Sequence, residues 1–165
     1  MQERFGASVE WLPFELHPEY PVEGHPRNPS YAEPTRQLLG RYGLEANPPD
    51  LVPNTTKALR LTEHARDQQL HGAFHDRLMD AYWAEGRDLG SDDVLRALAA
   101  EVGLEGADEV LATDVHRERI RRSTEQAHSI GVTGVPAFLL DGRLLVLGAQ
   151  PQEVFERAFA QLSAG

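Results

Sequence analysis

Over most of this chain apolar residues recur at the three-to-four-residue interval of an amphipathic helix, and in two places they run together in short blocks. The helical rhythm predicts a helix from Thr55 to about Gln69, with Asn54 as its N-cap and Ala58, Leu59, Leu61, Thr62 and Ala65 as its inner stripe. A second is expected from about Gly72 to Ala84 on Phe74, Leu78, Met79, Tyr82 and Trp83. Ser91 caps a third. Asp92 and Asp93 occupy its first turn, where the helix dipole favours negative charge, and Val94, Leu95 and Leu98 face inward until Gly103-Leu104 ends it. A fourth helix or helix pair spans Asp108 to about Ser129, with Val110, Leu111, Val115, Ile120 and Ala127 inward. Pro151 opens a final helix whose buried face is Val154, Phe155, Ala158, Phe159 and Leu162.

The blocks read as strands. Ala137–Leu140 and Leu144–Leu147 are separated by Asp141-Gly142-Arg143, and Asp-Gly tolerates the positive φ angles that a tight hairpin turn demands. Val9–Leu16, VEWLPFEL, is dense in β-branched and aromatic residues and is predicted as the first strand, with Val9, Trp11 and Phe14 in the core and Pro13 near an edge or bulge. Between it and the helices, His17–Pro34 is proline-rich and expected to be irregular. A short helix from about Thr35 to Tyr42 follows, ended by Gly43, and Asn47-Pro48-Pro49 forces another irregular link. Met1–Ala7 reads as the last turn of a helix closed by Gly6. The order strand, helices, strand, turn, strand, helix is an α/β layer fold with an all-helical insertion. It is read as one domain over residues 1–165, with the insertion at about 35–130 and a proline loop, hairpin and terminal helix at 131–165.

Charge narrows the partners. A net charge of −10 without any strong Lys/Arg cluster argues against nucleic acid and anionic membrane. Arg117, Arg119, Arg121 and Arg122 flank Glu118 on a helix and read as a solvated face. No apolar run reaches the length of a membrane span, and MQERFGASVEW lacks the pattern of a signal peptide, so the chain is expected to be cytoplasmic. Cysteine is absent, which excludes disulfides, thiolate metal sites and thiol catalysis by this polypeptide.

Few residues suggest chemistry. His64, His71 and His75 would share one helical face if the helix were continuous, but Gly72 interrupts them and no metal-ligand motif completes the set, so neither metal nor cofactor is expected. Phosphate loops, nucleophile elbows and paired carboxylates are missing. Trp11 and Trp83 are read as core, while Tyr20, Tyr31 and Tyr42 lie in or beside the proline-rich loop. What remains is Gly134-Val135-Pro136, just before the first hairpin strand. If the Val135-Pro136 bond is cis, the backbone of Val135 faces outward and can pair with an extended peptide.

VEWLPFEL, FHDRLMDAYWAEGRDLGSDDVLRALAAEVGLE and GVTGVPAFLLDGRLLVLGAQPQEVFERAF resemble, in turn, the second strand, the helical insertion, and the cis-proline loop, hairpin and last helix of the DsbA family of thioredoxin-fold oxidoreductases, in its FrnE-like branch. The resemblance runs from Phe5 onward, and GVTGVPAF followed by GAQP is its most specific part. It implies a thioredoxin-like fold with a helical insertion, a peptide or protein thiol/disulfide as partner, and substrate contact at Gly134, Val135 and Pro136. The family's first strand and Cys-x-x-Cys helix have no counterpart here, so this chain is expected to have no catalytic residue and to be inactive as it stands. The related hydroxychromene-carboxylate isomerases and kappa-class glutathione transferases use a serine at that place, also without a counterpart. Alternatives are therefore a non-redox peptide-binding module or a relative of that second branch. A strand left without its interior neighbour exposes backbone and apolar surface, so a homodimer or strand-exchanged oligomer is expected.

Overall fold

The computed structural model describes Gln2–Ser163. Along the chain the elements are α1 (Gln2–Phe5), β1 (His25–Pro26), α2 (Ala32–Gly40), β2 (Leu51–Val52), α3 (Thr56–Asp67), α4 (His71–Trp83), α5 (Asp92–Glu101), α6 (Ala107–Ala112), α7 (Arg117–Ser129), β3 (Ala137–Leu140), β4 (Leu144–Leu147) and α8 (Gln152–Ser163). They fall into two compact units, one formed by residues 17–120 and the other by the chain up to Leu16 together with everything from Arg121 on. Among the described residues, no helix is long and apolar enough to cross a membrane.

The first unit is helical because its apolar stripes meet. Leu61, Phe74, Leu95, Leu98 and Val110, drawn from α3, α4, α5 and α6, are buried at 1% exposure or less and form one cluster. Asn54 helps to start α3 by accepting a hydrogen bond from the Thr56 amide at 3.0 Å. Gln69, at φ 62, ends it in the left-handed conformation usually left to glycine, with the Leu70 amide returning to the Ala65 carbonyl at 2.8 Å. That break stops His64 from continuing onto the helix of His71 and His75. On α5 and α6, burial follows the predicted stripes, whereas Met79 on α4 and Val115 before α7 are exposed at 37% and 40%. Of the helix or helix pair expected there, the structure has the pair, and Val115 lies in the link between its members, which passes through His116 at φ 66.

Arg27 anchors the proline-rich loop by donating from Nε to the Pro49 carbonyl at 2.8 Å and from its guanidinium to the Tyr82 hydroxyl. The loop is more ordered than expected: His25 and Pro26 pair antiparallel with Val52 and Leu51. Asn28 then caps a turn at Pro29–Tyr31, accepting from the Ser30 amide at 3.0 Å. α2 consequently begins at Ala32, with Pro34 tolerated in a first turn whose amides have no intrahelical partner anyway.

The second unit departs most from expectation. Val9–Leu16 forms no strand. It runs through the unit on two side-chain hydrogen bonds, Ser123 Oγ to the Pro13 carbonyl at 2.7 Å and the Glu15 amide to Thr124 Oγ1 at 3.0 Å. Trp11, expected in the core, is 55% exposed, and Leu12 is 68% exposed. β-propensity describes how well a residue fits a half-buried pleated surface; among the described residues no strand lies beside this segment to supply one. Phe5 holds α1 to α8 by stacking on Phe159 at 4.3 Å, and Arg4 pairs with Glu156 at 2.6 Å.

Candidate functional site

β3 and β4 pair antiparallel, Phe138 opposite Val146 and Leu139 opposite Leu145. Their turn carries Asp141 at φ 53 and Gly142 at φ 64, closed by the Arg143 amide on the Leu140 carbonyl at 3.0 Å. Those two angles are what Asp-Gly permits. Phe138, Leu140, Leu144 and Val146 turn one face to α8, where they pack with Phe155 and Ala158, and the Phe138 ring meets Phe155 edge-on at 5.0 Å. The opposite face is apolar too. It carries Leu139 at 51% and Leu147 at 44% exposure.

Backbone direction follows from the same register. The Gly148 amide donates to the Pro136 carbonyl at 2.8 Å, so residues 136, 138 and 140 aim their polar groups at β4. By alternation Ala137 and Leu139 aim theirs the other way, and among the described residues this sheet has no third strand to receive them. The Val135-Pro136 peptide bond is cis, and Val135 is 55% exposed. Gly134 is half-buried and Pro136 exposed. The loop is rooted in the end of α7, where the buried Val132 donates its amide to the Ala127 carbonyl at 3.0 Å. Val135 and Pro136 therefore stand exposed at the head of the β3 edge, with half-buried Gly134 just before them, and the outward backbone groups of that edge belong to Ala137 and Leu139.

In the other unit several protonation equilibria are displaced. Burial raises the Tyr82 phenol against the opposing pull of Arg27. His116 is held below the usual histidine range, chiefly by burial and next by Arg119, with Asp67 opposing. Arg119 in turn holds Asp67 below the usual carboxylate range through a two-pronged contact at 2.9 and 3.2 Å. Sequence spacing pointed to His64, His71 and His75, but the fold sorts them differently. His71 and His75 lie parallel on α4 with ring centres 6.0 Å apart, while His64 faces His116 at 5.6 Å. No local pattern could have announced that pairing, since 52 positions separate the two residues.

A family model for the DSBA-like thioredoxin domain matches residues 1–160. The chain belongs to the DsbA-like thioredoxin domain family. The uncharacterized protein YwbO of Bacillus subtilis (strain 168) is 30% identical over 171 residues, spanning 93% of this chain and 82% of that protein. The crystal structure of a probable DsbA oxidoreductase from Streptomyces coelicolor superimposes with a TM-score of 0.81 at 27% identity, covering 90% of this chain and 72% of that one. The fold is thus the DsbA-like thioredoxin type, helix-dominated and with few strands. None of the 165 residues of this DsbA-like chain is a cysteine.

Proposed function

We propose that this chain is a FrnE-like member of the DsbA-like family that holds an extended peptide against the Val135-Pro136 loop without exchanging disulfides itself. The GVTGVPAF and GAQP motifs support the branch. The observation that carries the binding role is the outward backbone of Ala137 and Leu139 beside the exposed Val135-Pro136 bond, an edge that an added strand can pair with. Exchange begins with a thiolate attacking sulfur, and none of the 165 residues supplies one.

Insulin reduction driven by dithiothreitol should run at the rate of the protein-free blank, and turnover above it would overturn the redox half of this reading. Binding is tested by anisotropy of a fluorescent, cysteine-free peptide whose amides are methylated at alternate positions. One alternate set should weaken binding at least tenfold and the other leave it unchanged; equal effects from both would remove edge pairing as the mode.

The bare hairpin face supports a second element, that another copy of the chain covers it. Leu139 and Leu147 are the exposed apolar side chains involved. Light scattering should find a dimer at micromolar concentration, and a monomer throughout would sink this part alone.

A further inference from the structure

We propose that His64 and His116 form a binding site for a first-row divalent metal ion of the zinc, cobalt and nickel class, with His64 Nδ1 and His116 Nε2 as its protein ligands. These atoms face each other at 3.4 Å. Two imidazole nitrogens bound to one tetrahedral ion, at metal–nitrogen distances of about 2.1 Å, stand about 3.4 Å apart. The separation already matches the bound one.

Of the remaining ring nitrogens, that of His64 meets a backbone carbonyl, as in metal-binding histidines, and that of His116 faces a carboxylate from beyond hydrogen-bond distance. His64 Nε2 lies 2.8 Å from the Glu105 carbonyl and 2.9 Å from Gln68 Nε2, and a proton on it directed at the carbonyl leaves the Nδ1 lone pair for the ion. His116 Nδ1 lies 3.8 Å from Asp67 Oδ2, whose carboxylate Arg119 holds from behind. Without an ion, one of these two nitrogens carries a proton directed at the other. On binding, that proton is replaced by one on the far nitrogen of the same ring, and two neutral imidazoles coordinate with no net proton loss. Gln68 fixes the turn that carries Glu105, donating to its carbonyl at 2.9 Å and accepting from its amide at 3.3 Å. Gly106, at φ 72, leaves room for the ring: a β-carbon there would come within 3.1 Å of His64 Nε2. His116 itself adopts φ 66, uncommon for a residue with a side chain, and its side chain is only 9% exposed. Among the described residues no third histidine or carboxylate completes a ligand triad, so water fills the remaining positions and the ion is exchangeable.

The test uses the full chain and zinc or nickel chloride alone, and it does not depend on the peptide-binding reading. Calorimetric titration should show one ion per chain, and long-range ¹⁵N NMR should move the His64 Nδ1 and His116 Nε2 resonances together. His64→Gln and His116→Gln should each abolish binding, and Asp67→Asn should weaken it about tenfold or more. A His71→Gln/His75→Gln variant should bind as the parent does. Loss of binding in that variant, or survival in both single variants, would overturn the assignment. Should a variant unfold, the ring-nitrogen spectrum of the unmutated chain decides: no shift at His64 or His116 with saturating metal refutes the site.

Discussion

The helical unit and the hairpin unit answer the same demand, burial of apolar surface, with opposite success. In residues 17–120, α3, α4, α5 and α6 turn their stripes onto one cluster, and each helix satisfies its own backbone. The unit even accommodates buried charge: Glu63, 2% exposed, is paired by Arg66 at 3.1 Å and by Arg119 at 3.4 Å. The hairpin unit covers one face of β3 and β4 with α8 and leaves the other, together with a row of backbone groups, in solvent. A helix has one face to bury, whereas a strand pair apolar on both sides has two faces and two edges. The difference lies in how much of each element its own neighbours can complete.

Core truncation should expose that contrast most strongly. Phe74→Ala in the helical unit is expected to cost about 3–5 kcal/mol. The hairpin counterpart, Phe138→Ala, removes a half-buried ring and should cost clearly less; urea unfolding of both variants measures the gap, and equal costs would erase the distinction. Gly142→Val tests whether the hairpin depends on its turn, since a β-branched residue at φ 64 should cost about 1–2 kcal/mol by the same measurement.

A smaller effect belongs to Tyr82. Its raised pKa, caused first by burial, means the folded chain holds the phenolic proton more tightly than the unfolded chain does. The resulting stability is fully present below about pH 10 and is lost as pH rises through the higher folded value. The part of the alkaline phenolate absorbance that disappears in Tyr82→Phe should therefore lie above the ordinary tyrosine range. Smallest of all, Leu139→Thr should change the stability of the isolated chain by no more than about 0.5 kcal/mol. It should, however, abolish the rise of melting temperature with protein concentration that a second copy on this face would produce.

Helices were legible because their signal is local. The stripes of α3 and α5 and the start at Asn54 need only a few turns of sequence, and Asp141-Gly142 announces its turn in two residues. Val9–Leu16 misled because a strand is defined by a neighbour, which composition does not contain. The β1–β2 pairing was too short to show a period, and His64 with His116 is a product of tertiary structure. The Gly134-Val135-Pro136 loop stood out in the sequence, whereas the outward direction of the Ala137 and Leu139 backbone came from the register of β3 on β4.

The bare face of the hairpin also bears on how the protein is made. A newly folded chain presents Leu139 and Leu147 beside open backbone, the kind of surface that templates unwanted association. The concentration of chain reached during synthesis should therefore govern how much is recovered intact.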